Sequence, residues 1–127
     1  MKLTSSNQKV SVATKDRIVY KVVEKSDDTT FVAPYTKSVY EAGKSYSANL
    51  ELNQAGDTVK KGLFVLTNKK AVRRHLNKKH KFYSPLKVAI SCVIPSGTKY
   101  YFNPQTKEAM AENLIVEGEV SVKRKRS

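Results

Sequence analysis

The longest apolar runs in this chain span only four or five residues, and outside one segment its apolar side chains recur at every second position. A helix that crosses a bilayer needs roughly 20 consecutive apolar residues, so that class is excluded. Period-2 alternation is the mark of strands with one face in a core. Ile18, Tyr20 and Val22 share one face of a first strand, with Arg17 and Lys21 on the other. Tyr46, Ala48, Leu50 and Leu52 repeat the pattern against Ser47, Asn49, Glu51 and Asn53, and Gln54-Ala55-Gly56-Asp57 closes it as a turn. Gly62 to Leu66 is continuously apolar, as expected of a central strand buried on both faces. Leu86, Val88, Ile90, Cys92 and Ile94 line a long strand that Pro95-Ser96-Gly97 ends, and Thr98 to Phe102 reads as its hairpin return. Residues 107–112 suit either a helical turn or a strand. Leu114, Val116, Val120 and Val122 mark a closing strand.

One segment departs from period 2. After Thr67 or Asn68, either of which can cap a helix, Ala71, Val72, His75, Leu76 and the stem of Lys79 fall on one side at 100° per residue. Lys69, Lys70, Arg73, Arg74, Asn77 and Lys81 fall mostly on the other. The expected fold is α+β: a mainly antiparallel sheet of about six strands with one amphipathic helix over residues 68–80 packed on it. At 127 residues the chain has the size of a single domain. Residues 1–8 are expected as a flexible tail, 9–122 as the domain and 123–127 as a basic C-terminal tail.

Cys92 is the only cysteine, which excludes an intrachain disulfide and fits a reducing, cytoplasmic compartment. Met1-Lys2-Leu3 runs into the polar Thr4-Ser5-Ser6-Asn7-Gln8, which does not match the apolar core of a signal peptide.

Charge is the outlier. Twenty-four Lys and Arg against eleven Asp and Glu leave +13, a field that recruits polyanions. It is also segregated: between Thr58 and Lys107 there is no acidic residue, while twelve cations fall there. Like charges three and four apart on a helix cost roughly 0.2–0.5 kcal/mol per pair, so a surface of this kind invites a counter-charge. The candidate nucleic-acid contacts are Lys60, Lys61, Lys69, Lys70, Arg73, Arg74, Lys78, Lys81 and Lys87, with Lys123, Arg124, Lys125 and Arg126 as a second clamp. Lysine outnumbers arginine, which favours point-charge contacts over bidentate reading of guanine and so a weak sequence preference. Phe82, Tyr83, Tyr100 and Tyr101 adjoin the block and are candidate stacking platforms for single-stranded bases, against the alternative that they are core.

Other signals carry less. Gly43-Lys44-Ser45 matches the end of a phosphate-binding loop, yet Ser38 stands where glycine is required and a strand follows. His75 and His80 lack neighbouring ligands for a metal. Cys92 is in register with core residues and reads as a buried thiol, and Asp27-Asp28 as a turn. No carboxylate pair falls in the basic block. The expectation is a non-enzymatic protein with no metal and no cofactor.

Val19-Tyr20-Lys21-Val22, Glu41-Ala42-Gly43-Lys44-Ser45-Tyr46 and Lys61-Gly62-Leu63-Phe64-Val65, followed by a helix near Ala71 and two terminal strands, resemble a small domain of bacteriophage genomes. That domain occurs alone or joined to pentapeptide repeats, and the resemblance covers residues 17–120. Phe64 stands where the family often has histidine, and the family's nearby cysteines are absent. The resemblance implies a phage accessory protein acting in the host bacterial cytoplasm. Nucleic acid is the leading partner. The alternatives are an acidic surface of a host protein, as an anti-defence inhibitor, or a phosphorylated nucleotide.

Overall fold

The computed structural model describes residues 1–3, 10–34, 36–77 and 87–122. These residues form β1 (Ser11–Val12), β2 (Arg17–Lys25), β3 (Thr30–Val32), β4 (Val39–Glu41), β5 (Ser45–Ser47), β6 (Glu51–Leu52), β7 (Val59–Lys61), β8 (Leu63–Leu66), α1 (Lys69–Asn77), β9 (Lys87–Ile94), β10 (Lys99–Asn103), β11 (Glu108–Ala111) and β12 (Asn113–Val120). The α+β class holds, but the main sheet has ten strands rather than about six. Its order is β1-β10-β11-β8-β2-β9-β12-β5, with β3 added to β2 and β4 to β3, and every pairing is antiparallel. A separate ribbon joins β6 and β7. Several of the extra strands have two or three residues, too few to leave a periodic signature. The run from Tyr46 to Leu52 is not one strand: β5 pairs with β12, and the chain then crosses over to form β6 against β7.

The face of β2 also differs from its alternation. Val19 and Val23 are buried in the main core, whereas Ile18 is 64% exposed. Tyr20 and Val22 do pack against apolar neighbours, but on the opposite face, beneath α1. β2 is thus covered on both sides, and Lys21 lies on the inner face between two buried valines. The expected character of β8 is met: Leu63 and Val65 enter the main core, while Leu66 faces the helix. On β9, Ile90, Cys92 and Ile94 line the inner face as the alternation requires. They meet Phe31 of β3 and Leu114 and Val116 of β12. Each such aliphatic contributes roughly 1.5–3 kcal/mol by leaving water.

β12 changes face along its length. Glu117 is an extra residue between the pairs Val116↔Cys92 and Gly118↔Ser91. This bulge, with Gly118 at φ 151°, reverses the alternation. Leu114 and Val116 therefore enter the main core, while Val120 packs under α1 with Val122.

Residues 108–111 resolve to strand β11. The preceding turn is held by Asn103, whose Oδ1 accepts from the Gln105 and Thr106 amides, with Lys107 at φ 61°. Met1 to Leu3 are not part of a tail. Lys2 bridges to Thr58, Leu3 N donates to Asp57 O at 2.7 Å, and the Leu3 side chain is buried with Val59 and Met110. Residues 4–8 of that expected tail, and 123–127, lie outside the described residues.

Candidate functional site

Helix α1 starts where its cap places it. Asn68 Oδ1 accepts from Ala71 N at 2.8 Å, satisfying one of the amides a helix start leaves unpaired. Thr67, the other candidate cap, turns its hydroxyl to the Lys107 carbonyl. Ala71, Val72 and Leu76 are buried against Tyr20, Val22, Leu66 and Ala89, anchoring the helix on the outer face of the sheet. His75 is half-buried beside Phe64, the ring centroids 6.5 Å apart. The expected helix reached residue 80, but residues 78–80 lie outside the described residues.

The anchoring turns Lys69, Lys70, Arg73 and Arg74 into solvent together. Among the described residues, ion pairs join Lys25 to Glu119 and Asp28, Lys44 to Glu41 and Lys61 to Glu51, and none involves these four cations. Lys60 is exposed on β7. Two candidates have other engagements. Lys61 lies 3.4 Å from Glu51 across the ribbon. Lys87 is half-buried and donates to the His75 carbonyl at 3.1 Å, satisfying a carbonyl in the last turn of α1. Tyr100 packs on the main core and Tyr101 on the cluster around Leu3, and both rings are partly exposed. Lys78, Lys81, Phe82, Tyr83, Lys123, Arg124, Lys125 and Arg126 lie outside the described residues.

A second feature was not anticipated. Along one edge, β2 pairs with β8 only at Tyr20↔Leu66 and with β3 only at Glu24 and Lys25. Between these pairings the sheet parts, and a cleft of about 730 Å³ opens there. Lys21, Leu63, Phe64, Tyr40 and Tyr46 line it, with Ser38 of the β3–β4 loop and Val39 at the start of β4. Only 8% of Lys21 is exposed. Its Nζ donates to the Phe64 carbonyl across the gap and sits 5.0 Å from the centroid of the Tyr40 ring. Burial pushes its pKa down from 10.5 to about 8, slightly countered by Cys92. Its one legible signal was a lysine two residues from valine on either side, Val19 and Val23.

The remaining candidates are structural. Burial pushes the Cys92 thiol up to about 12, which removes the thiolate a nucleophile needs. Asp27 forms a turn, its Oδ1 accepting from Thr29 N at 2.9 Å. Gly43 ends a turn that leads into β5, not a helix. Among the described residues, no three His, Cys, Asp or Glu side chains gather as a metal site would require, and no helix is long and apolar enough to cross a membrane. Comparison with protein-family models, curated proteins and solved structures returns no match. The likeness to the bacteriophage domain therefore rests on its own short motifs.

Proposed function

We propose that this chain is a non-enzymatic nucleic-acid-binding protein that meets the phosphate backbone with the outer face of α1. The observation that carries this reading is the group Lys69, Lys70, Arg73 and Arg74, all exposed and outside every ion pair of the described residues. A solvated helix face ordinarily mixes signs so that neighbours offset one another. This face does not, and its first turn has no acidic residue to meet the positive end of the helix dipole. Neutralising phosphates releases condensed counterions, so affinity falls steeply with salt. Lys69 and Lys70 meet phosphates as point charges on flexible stems, and only Arg73 and Arg74 can fork onto a base edge.

With the bacteriophage resemblance, the biological use of such binding is interference with a host nucleic-acid process in the bacterial cytoplasm. The deciding experiment is a salt titration of binding to duplex and single-stranded DNA and to RNA, with Lys69, Lys70, Arg73 and Arg74 changed together to Glu. Affinity that ignores ionic strength, or survives the charge reversal, eliminates the reading. A pull-down from nuclease-treated host lysate separates it from binding to an acidic host protein, which alone survives the treatment.

A further inference from the structure

The cleft in the sheet has an unusual charge. Lys21 is buried with Val19 and Val23 as its neighbours on the same face, and among the described residues no carboxylate lies within ion-pair distance of its ammonium. Its contacts are one carbonyl, that of Phe64, and the face of the Tyr40 ring. An ammonium has three donors, and a buried charge without a partner of opposite sign is strongly unfavourable. Such a residue in a cleft marks a site where a ligand brings the missing charge.

The walls define the rest of that ligand. Leu63, Phe64, Tyr40, Tyr46 and Val39 form the apolar and aromatic part of a lining that also includes His75, Lys87 and Glu108, and about 730 Å³ falls within the roughly 300–1,000 Å³ of small-molecule sites. The Tyr46 hydroxyl is already in use, accepting from Glu41 N at 2.6 Å. One buried ammonium suits a singly charged head group.

We propose that this cleft binds a small organic carboxylate, its head group on the Lys21 ammonium and its apolar body against Tyr40, Leu63 and Phe64. The cleft reaches His75 of α1 and Lys87, but Lys69, Lys70, Arg73 and Arg74 are not part of its lining. The test uses the full chain at pH 7 with decanoate and with decanol, which share a tail and differ in charge. Calorimetry should show decanoate binding roughly tenfold or more tightly than decanol. Lys21→Met should erase that difference while decanol binding persists. Backbone amide shifts on adding decanoate to the unaltered protein should map to residues 38–48 and 62–66, a readout that needs no variant. Changing Lys69, Lys70, Arg73 and Arg74 to Glu should leave decanoate affinity within about twofold. Equal affinity for acid and alcohol would overturn the proposal. So would shifts confined to residues 69–74, or displacement of decanoate by equimolar adenosine monophosphate.

Discussion

Lys21 is held inside the protein at a cost that depends on pH. Its pKa is lowered from 10.5 to about 8 because burial disfavours the charged form. Below pH 8 the lysine is protonated in both folded and unfolded chains, and the full penalty weighs on the fold. Between pH 8 and 10.5 the unfolded chain keeps a proton that the folded chain has shed, so this residue's contribution to stability rises with pH. The gap corresponds to roughly 3 kcal/mol. Lys21→Met removes it but leaves the Phe64 carbonyl without its donor, about 1 kcal/mol. The variant should be about 2 kcal/mol more stable than the parent at pH 7 in urea unfolding, and that advantage should vanish by pH 10.5; an advantage that does not change with pH would contradict this account. The Cys92 thiol titrates in both proteins and largely cancels from the difference. Gly62 makes a second residue-scale case. It adopts φ 149°, and a Cβ there would lie 2.8 Å from Leu50 Cδ2 and 3.3 Å from Met110 Cβ. Gly62→Ala should therefore destabilise by about 1–3 kcal/mol, measurable in the same unfolding assay. Neither residue announced itself. Lysine at position 21 makes β2 look like a strand with one wet face, and only the flanking Val19 and Val23 hint at burial on both sides.

Elements whose signals were local were legible, and those shaped by distant partners were not. Helix α1 has a cap, an apolar stripe and a charged stripe within its own length, so its start and its faces follow from residues 67–76. β8 and β9 carry long enough apolar patterns to be read directly. The division of the Tyr46–Leu52 run between two sheets depends on β12 and β7, which lie far along the chain. The bulge at Glu117 is equally silent, because Leu114, Val116, Val120 and Val122 keep an even spacing while the fold turns half of them over. The cationic face was legible in its helical part, and less so at Lys61 and Lys87, whose engagement by Glu51 and by the His75 carbonyl depends on residues ten or more positions away. Two substitutions test the helix as an element. Asn68→Ala should cost about 1 kcal/mol through loss of the bond to Ala71 N. Lys70→Glu places an acid in a first turn that has none and offsets Arg73 and Arg74. It should stabilise the fold by about 0.5–1 kcal/mol while weakening nucleic-acid binding. Thermal unfolding and a binding titration on the same sample would show these opposite responses, and a variant that gains or loses in both would argue against a face kept for a partner.

Across the whole molecule, the ion pairs and the open cations occupy different places. The paired lysines of the described residues, Lys25, Lys44 and Lys61, belong to strands and turns, whereas the four cations of α1 stand on the element packed over the outer face of the sheet. With +13 overall and only these four assigned to phosphate contact, two electrostatic effects separate. The total charge acts at long range and steers any polyanion, an effect that fades beyond a Debye length of about 10 Å at 0.1 M salt. On the proposed reading the helix face acts at contact and sets the number of counterions released. Four contacts on duplex DNA should give a log–log slope of affinity against salt of roughly −3 to −4. Changing Lys69 and Arg73 together to Gln removes two contacts and only two of the charges, so the slope should fall to about −2 while binding at the lowest salt persists. Changing Lys25 and Lys44 to Gln lowers the total charge equally but should leave the slope within error of the parent. If both pairs lower the slope alike, binding follows net charge and not the surface of α1, and the assignment of this helix as the contact face fails.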